Sequence, residues 1–335
     1  MSKAKGTSVI RETSKGARNL ILGLFASLVA MAGIFVYLGQ QAGYDRERIG
    51  YTSEQQVLSQ RIAKSALAAS SGEEKAFNDL AAYRSQFVAT LDRLRNGNPE
   101  SGLPPIVEED PLNAELSVLE GEWKKFDAAV NTVLEGKETI LFLSEAVEAI
   151  QTQMGGLIDA SQSVVDALVA KKASPRLIAI ASRQLMLAQR IVNNVSNVLT
   201  GTGGEEATEQ FAADVEEFGT VLDGLIRGSG DIPKIKDKKV QAKLFDGSMQ
   251  FKIVADYVGE ILDNAEDILA VQEAAKEAAG ISDAVYVAST RLRDAIAAAA
   301  AARPVKVEFA YALGALALFF LIMLGWTLKR EADRR

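Results

Sequence analysis

Apolar and polar positions divide this chain into three parts: two uncharged hydrophobic stretches near the ends and a long segment between them with a helical period. The first stretch runs from Asn19 to Tyr44 around LILGLFASLVAMAGIFVYL, the second from Phe309 to Leu328. Each supplies about 20 apolar residues, the length an α-helix needs to cross a hydrocarbon core of about 30 Å. A cleaved signal peptide is the rival reading of the first stretch. It is disfavoured because the apolar run exceeds an ordinary signal core and no clear A-x-A site precedes Asp45.

In the middle segment apolar residues recur three and four apart: Val57, Leu58, Ile62 and Ala66; Phe77, Leu80, Ala81 and Phe87; Trp123, Phe126, Val130 and Leu134. Alternating β-branched runs are nearly absent, so the segment reads as helix almost throughout. Breaks fall at Ser70-Ser71-Gly72, from Asn96 to Pro111, from Thr200 to Gly204, and from Gly228 to Pro233. Ser174 followed by Pro175 is a helix start, with a capping hydroxyl and then a residue that needs no amide donor.

The segment also repeats itself. Ser53-x-Gln55-x-x-Leu58-x-Gln60-Arg61-Ile62 matches Ser182-x-Gln184-x-x-Leu187-x-Gln189-Arg190-Ile191, and Trp123, Val130, Leu134 and Ile140 match Phe251, Val258, Leu262 and Ile268. A steady offset of roughly 130 residues indicates a tandem duplication with small loop indels. The expected fold class is all-α: two membrane helices flanking a tandem of two four-helix-bundle modules. The boundaries read as a tail over 1–18, a first span over 19–44, modules over 45–173 and 174–306, a second span over 307–328 and a tail over 329–335.

Flanking charge orients this arrangement. Lys3, Lys5, Arg11, Lys15 and Arg18 precede the first span against Glu12, and Lys329, Arg330, Arg334 and Arg335 follow the second against Glu331 and Asp333. Basic residues at both outer ends place both termini in the cytoplasm and the middle outside it. The middle carries 28 basic and 41 acidic residues, a net charge of about −13 that disfavours nucleic acid and anionic lipid. The chain has no Cys and no His, which excludes thiol nucleophiles, imidazole bases, Cys/His zinc sites and disulfides. No phosphate loop, hydrolase elbow or metal-ligand run appears, so neither enzymatic activity nor a cofactor is expected.

One polar motif repeats. Gln60-Arg61 and Gln189-Arg190 stand in the first helix of each unit, with the arginine on or beside the apolar stripe. A guanidinium there needs a partner, and its planar fork suits a carboxylate or another oxyanion. Either each arginine pairs with a carboxylate of its own bundle, or Arg61 or Arg190 faces a ligand anion or a partner subunit with Gln60 and Gln189 assisting.

At Leu58-Ser59-Gln60-Arg61-Ile62-Ala63-Lys64, again at Arg183-Gln184 with Leu187-Ala188-Gln189-Arg190-Ile191, and at Phe309 to Leu318, the chain resembles the PilJ family of type IV pilus methyl-accepting chemotaxis transducers. The resemblance implies a homodimeric inner-membrane sensor with a periplasmic helical domain and a pilin or other pilus component as partner. It further implies output through a coupling protein and a histidine kinase that governs twitching motility. Such proteins continue past the second span into a HAMP unit and a methyl-accepting coiled coil, and this chain stops at Arg335. It therefore reads as the sensory and transmembrane part. Two other functions stay open: a nitrate-type small-anion sensor domain, since distant relatives bind anion through an arginine of the first helix, and a membrane scaffold that does not switch.

Overall fold

The computed structural model describes residues 4–333, with side chains over 16–330. The charged residues at 3, 5, 11, 12, 15, 331, 334 and 335 that orient the chain lie outside the described side chains. Among the described residues there are nine helices and no strand: α1 (Ala4–Ser70), α2 (Glu74–Asn96), α3 (Asn113–Glu135), α4 (Lys137–Ala170), α5 (Pro175–Thr200), α6 (Gly204–Arg227), α7 (Lys238–Asp263), α8 (Ala265–Ala301) and α9 (Val307–Ala332). The fold is all-α, with two helices long and apolar enough to cross a membrane at either end of a helical middle.

Helix ends follow local chemistry. Ser174 caps α5 by accepting the Leu177 amide at 3.3 Å, with Pro175 in the first turn. Gly201 ends α5 at φ 65°, a left-handed conformation that glycine adopts without a Cβ clash. Asp237 caps α7 by accepting the amides of Lys239 and Val240.

The duplication is visible in the elements. Helices α3 and α7 end at Glu135 and Asp263, and α4 and α8 begin at Lys137 and Ala265, each pair 128 residues apart. The two interhelical loops each close a single antiparallel bridge, Asn98 to Leu103 and Ser229 to Ile232. Each then buries an isoleucine, Ile106 or Ile235, whose amide bonds back to the end of the preceding helix. An aromatic pair recurs as well: Phe87 stacks on Trp123 at 3.9 Å, and Phe218 lies 4.9 Å from Phe251.

The chain forms two compact units. One contains residues up to 54, 90–117 and from 289 onward; the other contains 55–89 and 118–288. In the second, α4, α5, α6 and α7 make a closed ring in which α4 touches α5 and α7, and α6 touches both of those helices. The ring thus takes α4 from the first sequence repeat and three helices from the second. Gly155 and Gly156 sit inside an unbroken α4, and a Cβ on Gly156 would lie 3.0 Å from the side-chain amide of Gln250 on α7. In the same unit Arg84 of α2 binds Asp127 of α3 through two bonds of 2.6 and 3.0 Å, and Gln60 of α1 donates to Asp283 of α8.

In the first unit the two apolar helices lie against each other. A Cβ on Gly23 would come within 2.8 Å of the Phe320 ring, and one on Gly314 within 3.4 Å of the Met31 sulfur. Ser27, Ala310 and Ala317 are the buried positions of this contact region, in keeping with membrane helices that approach through small residues. Along α1 the least exposed face keeps a three-four spacing through Ser27, Met31, Ile34, Leu38, Gln41, Asp45, Arg48 and Thr52. That spacing marks a coiled-coil seam, apolar at first and polar from Gln41.

Candidate functional site

Polar side chains gather in two constellations, one in each unit. The first is the repeated Gln-Arg motif. In the second repeat Arg190 donates to Asp214 of α6 at 2.6 Å. Asp214 is only 2% exposed, and the amides of Asn194 and Gln210 donate to it as well, both at 2.8 Å. Arg190 is thereby held by a carboxylate of its own bundle. The charge-assisted bond and its two neutral companions satisfy an anion that would otherwise be costly to bury.

The first repeat is built differently. Tyr83 stands at the position equivalent to Asp214, and Arg61 lies over its ring at 5.6 Å. The Arg61 side chain is exposed, on the flank of the apolar stripe rather than within it, and Ile62, Ala63 and Ala66 fill the inward positions. Among the described residues no carboxylate pairs with Arg61. Gln60 and Gln189 are both exposed, and Gln60 bonds Asp283 at 3.2 Å. The structure therefore separates the four motif residues: Arg190 is engaged internally, while Arg61 presents a guanidinium to solvent. The aspartate that makes the difference does not repeat, so the duplication alone could not reveal it.

The second constellation surrounds the points where the chain leaves its two apolar helices, and sequence reasoning missed it. Arg303, between α8 and α9, grips Asp45 of α1 with two bonds of 2.5 and 2.6 Å. Both are largely shielded, at 24% and 13% side-chain exposure. The bond to Asp45 holds the Arg303 pKa above its ordinary value against the opposing effect of burial. One turn further on, Arg48 is buried and donates to the Pro104 carbonyl at 3.0 Å, with its Nε unpartnered. Burial lowers the Arg48 pKa, with Arg303 adding to that effect and Asp110 and Asp45 opposing it.

The proline-containing loop after α2 completes this cluster. Asn98 and Ser101 donate to Glu47 at 2.8 and 2.9 Å, and Tyr51 donates to the same carboxylate at 2.6 Å. Burial works to raise the Glu47 pKa, but these three bonds, aided by Arg93, hold it below the ordinary glutamate value. The Tyr51 hydroxyl is pushed up, first by burial and then by its bond to Glu47. Asn98, Ser101 and the Pro104 carbonyl thus tie the loop to α1.

Trp123 is a core anchor, buried against Phe87, but its repeat counterpart Phe251 is only half-buried. With Phe245 and Arg227 it lines an open groove between α6 and α7.

The sequence is similar to those of known proteins. A family model described as the N-terminal part of type IV pili methyl-accepting chemotaxis transducers, PilJ, matches residues 37–156 and 169–284. Protein PilJ of Pseudomonas aeruginosa is 32% identical over 319 residues, covering 94% of this chain and 46% of that protein. A putative methyl-accepting chemotaxis protein of Alcanivorax borkumensis, AlkN, is 30% identical over 265 residues, covering 76% of this chain and 37% of its own. The chain spans less than half the length of these relatives. On the family match and the near-complete alignment, the chain belongs to the PilJ family of type IV pilus methyl-accepting chemotaxis transducers.

Proposed function

We propose that this chain is the sensory and membrane-spanning part of a pilus-type chemotaxis transducer, acting in the bacterial inner membrane without catalysis. The helical middle stands on the periplasmic side as two duplicated modules, over 45–173 and 174–306, with both termini in the cytoplasm. It functions as a homodimer with a pilin or another pilus component as its periplasmic partner. Output to a coupling protein and histidine kinase, and through them to twitching motility, passes through the longer receptor of which this chain corresponds to the sensory portion.

The observation that carries this reading is the bidentate ion pair of Arg303 with Asp45. It ties the residues that emerge from the two apolar helices to each other, so a stimulus that shifts one helix must work through, or break, this tie. A stimulus changes the state only by its differential affinity for the two arrangements, and useful couplings lie at about 1–3 kcal/mol. A bidentate charged pair in a shielded setting lies within that range.

The test uses the full-length receptor in a twitching strain. Asp45→Asn and Arg303→Gln, each accumulating normally, should alter the twitching response, and the exchanged pair Asp45→Arg with Arg303→Asp should restore part of it. Normal twitching in both single variants would remove the tie from the mechanism.

The exposed Arg61 favours a second reading, in which a small anion such as nitrate is sensed in the first repeat. Titration of the chain with nitrate, nitrite and small carboxylates separates the two readings. Saturable binding lost in Arg61→Ala would favour the anion sensor.

A further inference from the structure

The end of the ring where α4 passes to α5 and α6 passes to α7 is basic in an otherwise acidic middle. Residues 171–176 and 227–243 hold nine of the middle's 28 basic residues and only two of its 41 acidic ones. The structure brings the two segments together. Arg176 donates to the Asp231 carbonyl at 3.0 Å and pairs with its carboxylate at 2.9 Å, and Lys171 pairs with Asp237. Arg227 pairs with Asp223 one turn back on α6. Lys172, Lys234, Lys236, Lys238, Lys239 and Lys243 are all exposed and have no ion pair among the described residues.

The fold does not require this charge. The equivalent loop of the first repeat has the same single bridge and buried isoleucine, yet carries four acidic residues over 97–112 and no basic one. Helix α3 then opens with Glu115 in its first turn, the sign that the helix dipole favours. Helix α7 opens with Lys238 and Lys239 and has no acid in its first turn, so both ammonium groups stand at the positive end of the dipole. Lys172 takes φ 53°, a left-handed conformation that glycine adopts at less cost. Lysines held where they weaken the fold point to a role outside it.

An apolar face adjoins the charge. Arg227 lines the groove between α6 and α7 together with Phe245, which is 60% exposed, and Met249 stands exposed one turn further along α7. A short acidic segment that carries apolar side chains matches both features. Nucleic acid or an anionic lipid surface extends past the patch to the net negative remainder of the middle, which repels it.

We infer that this end of the ring is a docking surface for an acidic segment of a partner protein. Its carboxylates lie over the unpaired lysines, and its apolar side chains enter the groove beside Phe245. The inference goes beyond the signalling reading and does not depend on it.

Fluorescence anisotropy on the full chain in zwitterionic nanodiscs tests it. The probe is a labelled glutamate-rich peptide that carries phenylalanines, compared with a counterpart that carries serines in their place. The first should bind saturably and the second several-fold more weakly. Lys234→Glu with Lys236→Glu and Lys239→Glu should weaken the probe at least about tenfold, since each exposed charge pair contributes up to a few-fold. The same reversal at exposed lysines elsewhere, Lys64→Glu with Lys75→Glu and Lys124→Glu, should change it less than about threefold, because salt screens distant charges. Lys239 opposes the dipole of α7, so the first triple variant should match the unaltered chain in urea unfolding. Phe245→Ser should weaken the phenylalanine peptide several-fold and leave the serine peptide unchanged.

No saturable binding of the probe would overturn the inference. Equal weakening by the two triple variants would do the same, tracing the effect to net charge alone, as would a Phe245→Ser variant that binds both peptides like the unaltered chain. Tighter binding of duplex DNA or phosphatidylglycerol vesicles than of the probe would overturn it in favour of a phosphate polyanion. Should the first triple variant fail to accumulate, the comparison of peptides, DNA and vesicles on the unaltered chain decides.

Discussion

Replacing Arg190 with Ala removes one charge-assisted bond of 2.6 Å and leaves the Asp214 carboxylate, 2% exposed, with two neutral donors. Loss of a hydrogen bond to a charged group costs about 1.5–3 kcal/mol, and breaking a fully buried pair costs about 3–5 kcal/mol. Asp214 keeps two of its three donors and the Arg190 side chain is 43% exposed, so the lower figure governs and a loss of about 1.5–3 kcal/mol is expected. Arg61→Ala removes only a cation–π contact at an exposed position, for which about 0.5–1 kcal/mol is the scale. The two arginines, identical in motif, should therefore differ in stability effect by about 0.5–2.5 kcal/mol. Urea unfolding of the detergent-solubilised chain, followed by circular dichroism, measures both. Equal losses would refute the reasoning, and so would a loss at Arg190 below that at Arg61. A companion variant reverses the design: Tyr83→Asp should supply Arg61 with a carboxylate, and in this exposed setting should gain no more than about 1 kcal/mol.

Other expectations follow from the same contacts. Glu47 has a lowered pKa in the folded state, so its contribution is complete above the ordinary glutamate value and is lost as pH falls through the lowered one. Amide exchange at Asn98 to Ser101 should accelerate below that range, and Glu47→Gln should flatten the dependence. Phe87→Ala opens a void beside Trp123 in a fully buried stack and should cost about 3–5 kcal/mol in urea unfolding. Gly97 has φ 82°, and a Cβ there would collide with the Leu103 carbonyl. Gly97→Ala should therefore loosen the loop after α2, visible as faster proteolysis within it, whereas Gly259→Ala, in open space on α7, should not.

Much of the fold was legible because its signals are local. The start at Ser174-Pro175, the glycine at 201 and the loop glycines each act within a few residues, and the structure places helix ends beside them, whereas the first apolar stretch lies inside the unbroken α1. The duplication was legible too, since equivalent helices keep their apolar residues at one offset. What the sequence hid are pairings between distant residues. Arg190 and Asp214 stand 24 positions apart, and the acid has no copy in the first repeat, where Tyr83 takes its place. Aligning α2 with α6 and asking which residue faces each arginine would have exposed the difference. Asp45 and Arg303 lie 258 positions apart, and nothing in spacing or periodicity joins them. Periodicity also cannot say which helices share a ring, so α4 closing with α5, α6 and α7 had to come from the packing.

The central claim is that the two apolar helices change their mutual position when the receptor is stimulated. The 335 residues of this chain contain no cysteine, so an engineered pair supplies the only thiols within them. Met31→Cys with Gly314→Cys places the thiols where a Cβ on Gly314 would lie 3.4 Å from the Met31 sulfur. Cross-linking yield in whole cells should differ between a strain assembling pili and one that cannot, in a full-length receptor that otherwise signals normally. The same yield in both strains would contradict the account.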